Sequence, residues 1–110
     1  MSFKPQSVGK VIASRRLYVI GSPEIAFEVS IGEPQRFPDG DDYYCPIQIL
    51  GASEKKVSYA AGIDSLQALD LGMKNLASKM SLLNQKYAGN LRWIDDDPTL
   101  GFTMTDGTKI

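Results

Sequence analysis

Residues 60–90 read AAGIDSLQALDLGMKNLASKMSLLNQKYAGN, and their hydrophobic spacing decides the fold. Leu66, Leu69, Met73, Leu76, Met80, Leu83 and Tyr87 recur at alternating intervals of three and four. At 100° per residue they fall within an arc of roughly 100°, the apolar stripe of a helix lying on a core. Asp64 stands where an N-cap belongs, with Gln67 three residues on. An N-cap oxygen accepts from an otherwise unpaired backbone N–H, and the glutamine reaches back to the cap residue. Gly62 lets the chain turn from strand into helix without a Cβ penalty. Gly89-Asn90 supplies a left-handed stop. The pattern predicts one helix over 64–88, about 37 Å long. The competing reading is an anion cradle at the helix start, as in phosphate sites. It is weaker: Asp64 would occupy the same amides and repel the anion, and no glycine-rich loop with a lysine is present.

Upstream of the helix the period is two. Residues 10–20, KVIASRRLYVI, are rich in β-branched residues, and their imperfect alternation around Arg15-Arg16 predicts a bulge or an edge. Residues 25–32 put Ile25, Phe27, Val29 and Ile31 on one face and polar or small residues on the other, the mark of a strand with one wet face. Gly21-Ser22-Pro23-Glu24 reads as the hairpin loop between them. Residues 42–50 set Tyr43, Cys45, Ile47 and Ile49 in phase, and Pro46, lacking an N–H, predicts an edge or a bulge there. Residues 54–61 place Val57, Tyr59 and Ala61 opposite Lys56 and Ser58.

A helix of this length outruns an eight-residue strand of about 27 Å, so its last turns need further cover. Leu91, Trp93, Ile94, Leu100 and Phe102 supply it as two short strands around the turn Asp95-Asp96-Asp97-Pro98. The expected fold is α+β. It is an antiparallel meander of four or more strands, with one long helix packed on one face and a short C-terminal β segment. Residues 1–9 read as a flexible leader and 10–110 as a single domain. In the expected core Ile25, Phe27, Val29, Ile31, Tyr43, Cys45, Ile47, Val57 and Tyr59 face Leu66, Leu69, Met73, Leu76 and Met80.

The composition restricts function more than it assigns it. The chain has 110 residues, a net charge of -1 and no Lys/Arg run longer than two, which disfavours nucleic acid as a partner. No apolar run approaches the ~20 residues that span a bilayer, so no membrane role is expected. A single cysteine and an N-terminus without a signal-like apolar core lead to a cytoplasmic expectation. There is no histidine, which removes the commonest general base and metal ligand. Cys45 reads as a small buried hydrophobe with no cation nearby to activate it. The acidic groups Asp39/Asp41/Asp42 and Asp95/Asp96/Asp97 lack the spacing of a calcium loop and read as solvated turns. No catalytic, cofactor-binding or metal-binding residue is therefore assigned, no cofactor is expected, and an enzyme is not the favoured reading.

Two sites remain open. Leu71 and Leu82, with Asn75 and Ser78 between them, lie opposite the main stripe. They read either as leucines covered by loops or the N-terminal leader, or as a contact with a partner or a second copy of the chain, a homodimer being one option. Tyr87 and Trp93 lie near the overhanging helix end, where amphipathic aromatics would line a ligand pocket.

The segments IASRRL (12–17), YYCPIQI (43–49), YAAGIDSLQALDLGMKNL (59–76), LRWI (91–94) and LGF (100–102) together resemble a family of small bacterial proteins of unknown function. The carrier is the helix start, Gly-hydrophobic-Asp-x-x-Gln-Ala-Leu, joined to a late Leu-x-Trp. Family members often continue with alanine-rich helix residues, where this chain has Asp70, Gly72 and Lys74. The resemblance implies a bacterial source and a small α+β domain, and carries over no activity. Two functions follow as expectations. The first is a non-catalytic protein-interaction module, immunity-like or adaptor-like; the second is a small-ligand binder or enzyme with its pocket near Tyr87 and Trp93.

Overall fold

The computed structural model describes residues 3–52 and 54–101. Phe102, one of the residues expected to cover the helix end, lies outside them. The elements run β1 (Val11–Val19), β2 (Ser22–Gly32), β3 (Gln35–Arg36), β4 (Tyr43–Leu50), β5 (Val57–Gly62), α1 (Ser65–Lys86) and β6 (Leu91–Arg92). All strand pairs are antiparallel, and the sheet reads β5-β4-β2-β1-β6 across, with β3 continuing alongside β4 beyond the end of β2. This is a meander closed by a return. The chain leaves the sheet at β5, crosses one face as α1, and re-enters at the opposite edge, where Tyr18 and Val19 pair with Arg92 and Leu91.

Several local expectations are corrected by the register. The first hairpin turns on Ile20 and Gly21, with Val19 already opposite Ser22, so β2 starts three residues before Ile25. Gly21 takes φ +87°, which only glycine adopts cheaply. Pairing jumps from Ser22 to Ala26, and Pro23, which cannot donate to a ladder, lies in that irregularity. Arg15 and Arg16 sit in regular register opposite Val29 and Glu28, so the strand does not bulge there. Its alternation is broken for another reason. Arg15 points to the core face, where its guanidinium lies 4.2 Å from the centre of the Trp93 ring and donates to the Leu100 carbonyl at 3.0 Å. β4 is central, not an edge. Pro46 falls in the gap between the rungs to β2, which end at Ile47, and those to β3, which begin at Tyr44.

The helix is seated about 60° round from the predicted stripe over its first half. Leu66 is 73% exposed and Met73 40%, against the expectation that both lie in the core. Ala68 and Gly72 are buried instead. The cause is the strand beneath. Cys45 and Ala60 are partners, as are Tyr43 and Gly62, so Ala60 and Gly62 face the helix. These small residues let the helix backbone come close, and the line of smallest side chains meets the sheet. Further along, Leu76, Met80 and Leu83 fill the space over Phe27, Val29, Ile31, Ile47 and Ile49.

The same register overturns the placement of Val57 and Tyr59. They pair with Gln48 and Pro46 on the face away from the helix. That second face is not bare. Tyr59 and Tyr44 join Phe37 and Phe3 in a chain of aromatic edges, with ring centres 5.1–6.3 Å apart. Residues 3–9 run across it: Pro5 is buried, and a Cβ on Gly32 would overlap the Val8 carbonyl and lie 2.8 Å from Pro46 Cγ.

Gly72 and Cys45 give a test of the close approach. A Cβ on Gly72 would lie 2.8 Å from Cys45 Sγ. Gly72→Ala gains about 1 kcal/mol of helix propensity, yet overpacking of this kind costs typically 1–3 kcal/mol. We expect a net loss of stability in urea denaturation. Cys45→Ala combined with Gly72→Ala should cost less than the two single changes added together, because Cys45→Ala removes the sulfur that the new methyl group meets. Strict additivity would show that the contact does not limit the helix position.

Candidate functional site

Asp64 caps α1: its Oδ1 accepts from the Gln67 amide at 2.8 Å, while Gln67 Oε1 accepts from the Ile63 amide at 2.7 Å. The glutamine thus reaches one residue further back than a capping box requires. The Gln67 amide, one of the first-turn donors an anion would use, is taken, and the capping carboxylate would repel an anion; such a cap contributes roughly 1 kcal/mol. Cys45 Sγ donates to the Gly32 carbonyl at 3.6 Å in the core, and burial pushes its thiol up to about 11. At neutral pH it is protonated and enclosed, the opposite of an activated nucleophile.

The two aromatic residues expected at a ligand pocket have packing partners. Tyr87 lies against Phe27 with ring centres 5.7 Å apart. Trp93 donates from Nε1 to Asp97 Oδ2 at 2.9 Å and carries Arg15 on its face. Asp97 Oδ1 also accepts from the Thr99 amide and hydroxyl, so this acid organises the turn after β6 rather than standing in solvent. Asp95 accepts from the Tyr18 hydroxyl. Among the described residues no group of His, Cys, Asp and Glu could hold a metal ion. No helix there is long and apolar enough to cross a membrane.

A concave surface lies elsewhere among the described residues. A groove of about 680 Å³ runs between the C-terminal half of α1 and the ends of β4 and β5. Its floor is Ile47, Ile49 and Leu83, and its walls carry Leu82 with Lys55, Lys56, Lys79 and Lys86. The sequence places these groups simply. Lys79, Leu82 and Lys86 stand three and four apart, so they share one flank of the helix. Lys56 and Ser58 share the phase of Ala60 and face the helix across the sheet edge. Gln48 Nε2 donates to the Lys55 carbonyl at 2.9 Å and fixes the hairpin that carries the lysine pair.

The four lysines face one acid in the groove, Glu54, and none forms an ion pair among the described residues. Leu82 is 65% exposed. Leu71 and Asn75 are also exposed but lie outside this lining, so the structure brings only Leu82 of the three into the groove. Neither Tyr87 nor Trp93 lines it. The acids gather at the other end of β4, where Asp39, Asp41 and Asp42 precede Tyr43, one strand length of about 27 Å away. A nearly neutral total therefore conceals a charge separation.

A family model described as Domain of unknown function (DUF6968) matches residues 13–104. The chain belongs to that family. No curated protein and no solved structure matches it. The matched span of this DUF6968 domain takes in the sheet from Ala13 onward, the whole of α1, and every residue of the groove.

The lysines are the groove residues that sequence reasoning did not single out. Their signal was present as the spacing Lys79-Leu82-Lys86, which shows no relation to Lys55-Lys56 until the fold juxtaposes them. A charge total averages such a patch away.

Proposed function

We propose that this chain is a non-catalytic protein-interaction module of the bacterial cytoplasm, and that its contact surface is the groove beside Leu82. One observation carries the reading: a largely exposed leucine stands over an apolar floor, in a concave surface rimmed by lysines that have no ion-pair partner among the described residues. Interfaces commonly pair an apolar centre with a polar rim. The bacterial setting rests on the family resemblance, and the compartment on a single thiol that is buried and free. Immunity-like and adaptor-like roles both suit a small domain that works by binding. A ligand pocket at Tyr87 and Trp93 gains no support from rings already held by Phe27, Arg15 and Asp97.

The test is a photoreactive residue introduced at position 82 or, as control, at exposed position 23 on the far hairpin, followed by irradiation in the living host. The expected result is an adduct of defined mass from position 82 and none from position 23. Equal, diffuse labelling at both positions would remove the groove as a contact surface.

A further inference from the structure

We infer that the groove takes an extended acidic segment of a partner protein, which adds as a strand to the open edge of β5; this rests on the interaction-module reading above. Three features of the fold converge on this occupant. β5 is the outermost strand, pairing with β4 on one side and with no strand on the other among the described residues. Its outward N–H and C=O groups are a template for one more strand. Such a segment would enter beside Lys56 and Ser58, where the edge opens into the groove.

Side chains of an added strand alternate between faces. Those turned toward the helix would meet the apolar floor with Leu83 and, on the helix flank, Leu82 beside Lys79 and Lys86, so carboxylates interleaved with an aliphatic anchor fit both. The lysines supply attraction without a competing acid apart from Glu54 among the described residues. The groove is concave and its floor apolar, which favours a peptide over the uniformly charged, convex backbone of a duplex. The apolar floor also explains why the lysines alone do not define the site.

The experiment starts from random short peptides displayed on phage and selected on the intact chain. The peptide most enriched is then titrated into ¹⁵N-labelled protein. The expected outcome is enrichment of acidic sequences with alternating apolar positions, with amide shifts concentrated in Val57–Gly62 and Lys79–Lys86. Affinity should fall with added salt, and by roughly tenfold or more in a Lys79→Glu, Lys86→Glu double variant whose melting temperature is unchanged. Enrichment of neutral or basic peptides, shifts confined to other elements, or charge reversal without effect would each overturn the inference. So would tight binding of a random-sequence DNA duplex abolished by the same variant, or a concentration-dependent mass showing that a second copy fills the groove. Specific adducts from position 82 together with any of these outcomes would keep the interaction module and discard the acidic strand. Loss of the adducts would remove both.

Discussion

Gly62→Ala should cost about 3 kcal/mol or more in urea denaturation, although it adds only a single methyl group. Gly62 is the last residue of β5, three before the helix begins. A Cβ built on it would lie 2.9 Å from Ala68 Cα and closer still to the Ala68 amide nitrogen. Those atoms are backbone in the first turn of α1, so no rotamer change relieves the overlap. Only a shift of the helix does, and that would open the contacts of Ala68 and Gly72 with the sheet while straining the Asp64 cap. The glycine is needed for close approach, a different reason from the turn freedom that its position in the sequence suggests. Gly89→Ala separates the two causes. Gly89 has φ +80° and nothing within 4 Å of its would-be Cβ, so its cost is conformational only, about 1 kcal/mol. Equal losses at the two glycines, or a Gly62→Ala change under half a kilocalorie, would contradict the packing argument.

What the sequence could and could not disclose follows from the same contacts. The helix from Ser65, its aspartate cap, and the inward set Phe27, Val29, Ile31, Cys45, Ile47 and Ile49 were all legible, because each depends on local periodicity or on one side chain meeting a nearby amide. The phase of β5 was not. Val57 and Tyr59 look like core residues by type, but strand phase is set by pairing, and a one-residue slip turns every side chain to the other face. Small Ala60 and Gly62 carry the inward phase, and a hydrophobicity pattern undervalues both. Arg15 misled in the opposite sense. A cation in an inward position reads as a defect until Trp93 and the Leu100 carbonyl, far along the chain, are brought onto it. The groove was illegible for a related reason. Its lysines come from a hairpin and from a helix flank, and nothing local joins them.

Leu76→Ala should lose about 2–5 kcal/mol, and Leu66→Ala less than about half a kilocalorie, in the same denaturation assay. Both leucines belong to the one stripe seen in the sequence, and a helix seated on the centre of that stripe would bury them alike. In the fold Leu76 is 3% exposed and touches the core, whereas Leu66 stands 73% exposed beyond the edge of the contact. Truncating the first leaves a cavity that the sheet cannot collapse to fill; truncating the second removes surface that water already covers. The ratio of the two losses therefore reads the rotation of α1 about its own axis. That rotation has a functional consequence. Turning the helix back by about 60° to bury Leu66 would swing Lys79, Leu82 and Lys86 up and away from Lys56 and Ser58, and the groove would open into a flat flank. Losses of similar size at Leu66 and Leu76 would thus displace the core assignment and the proposed binding surface together.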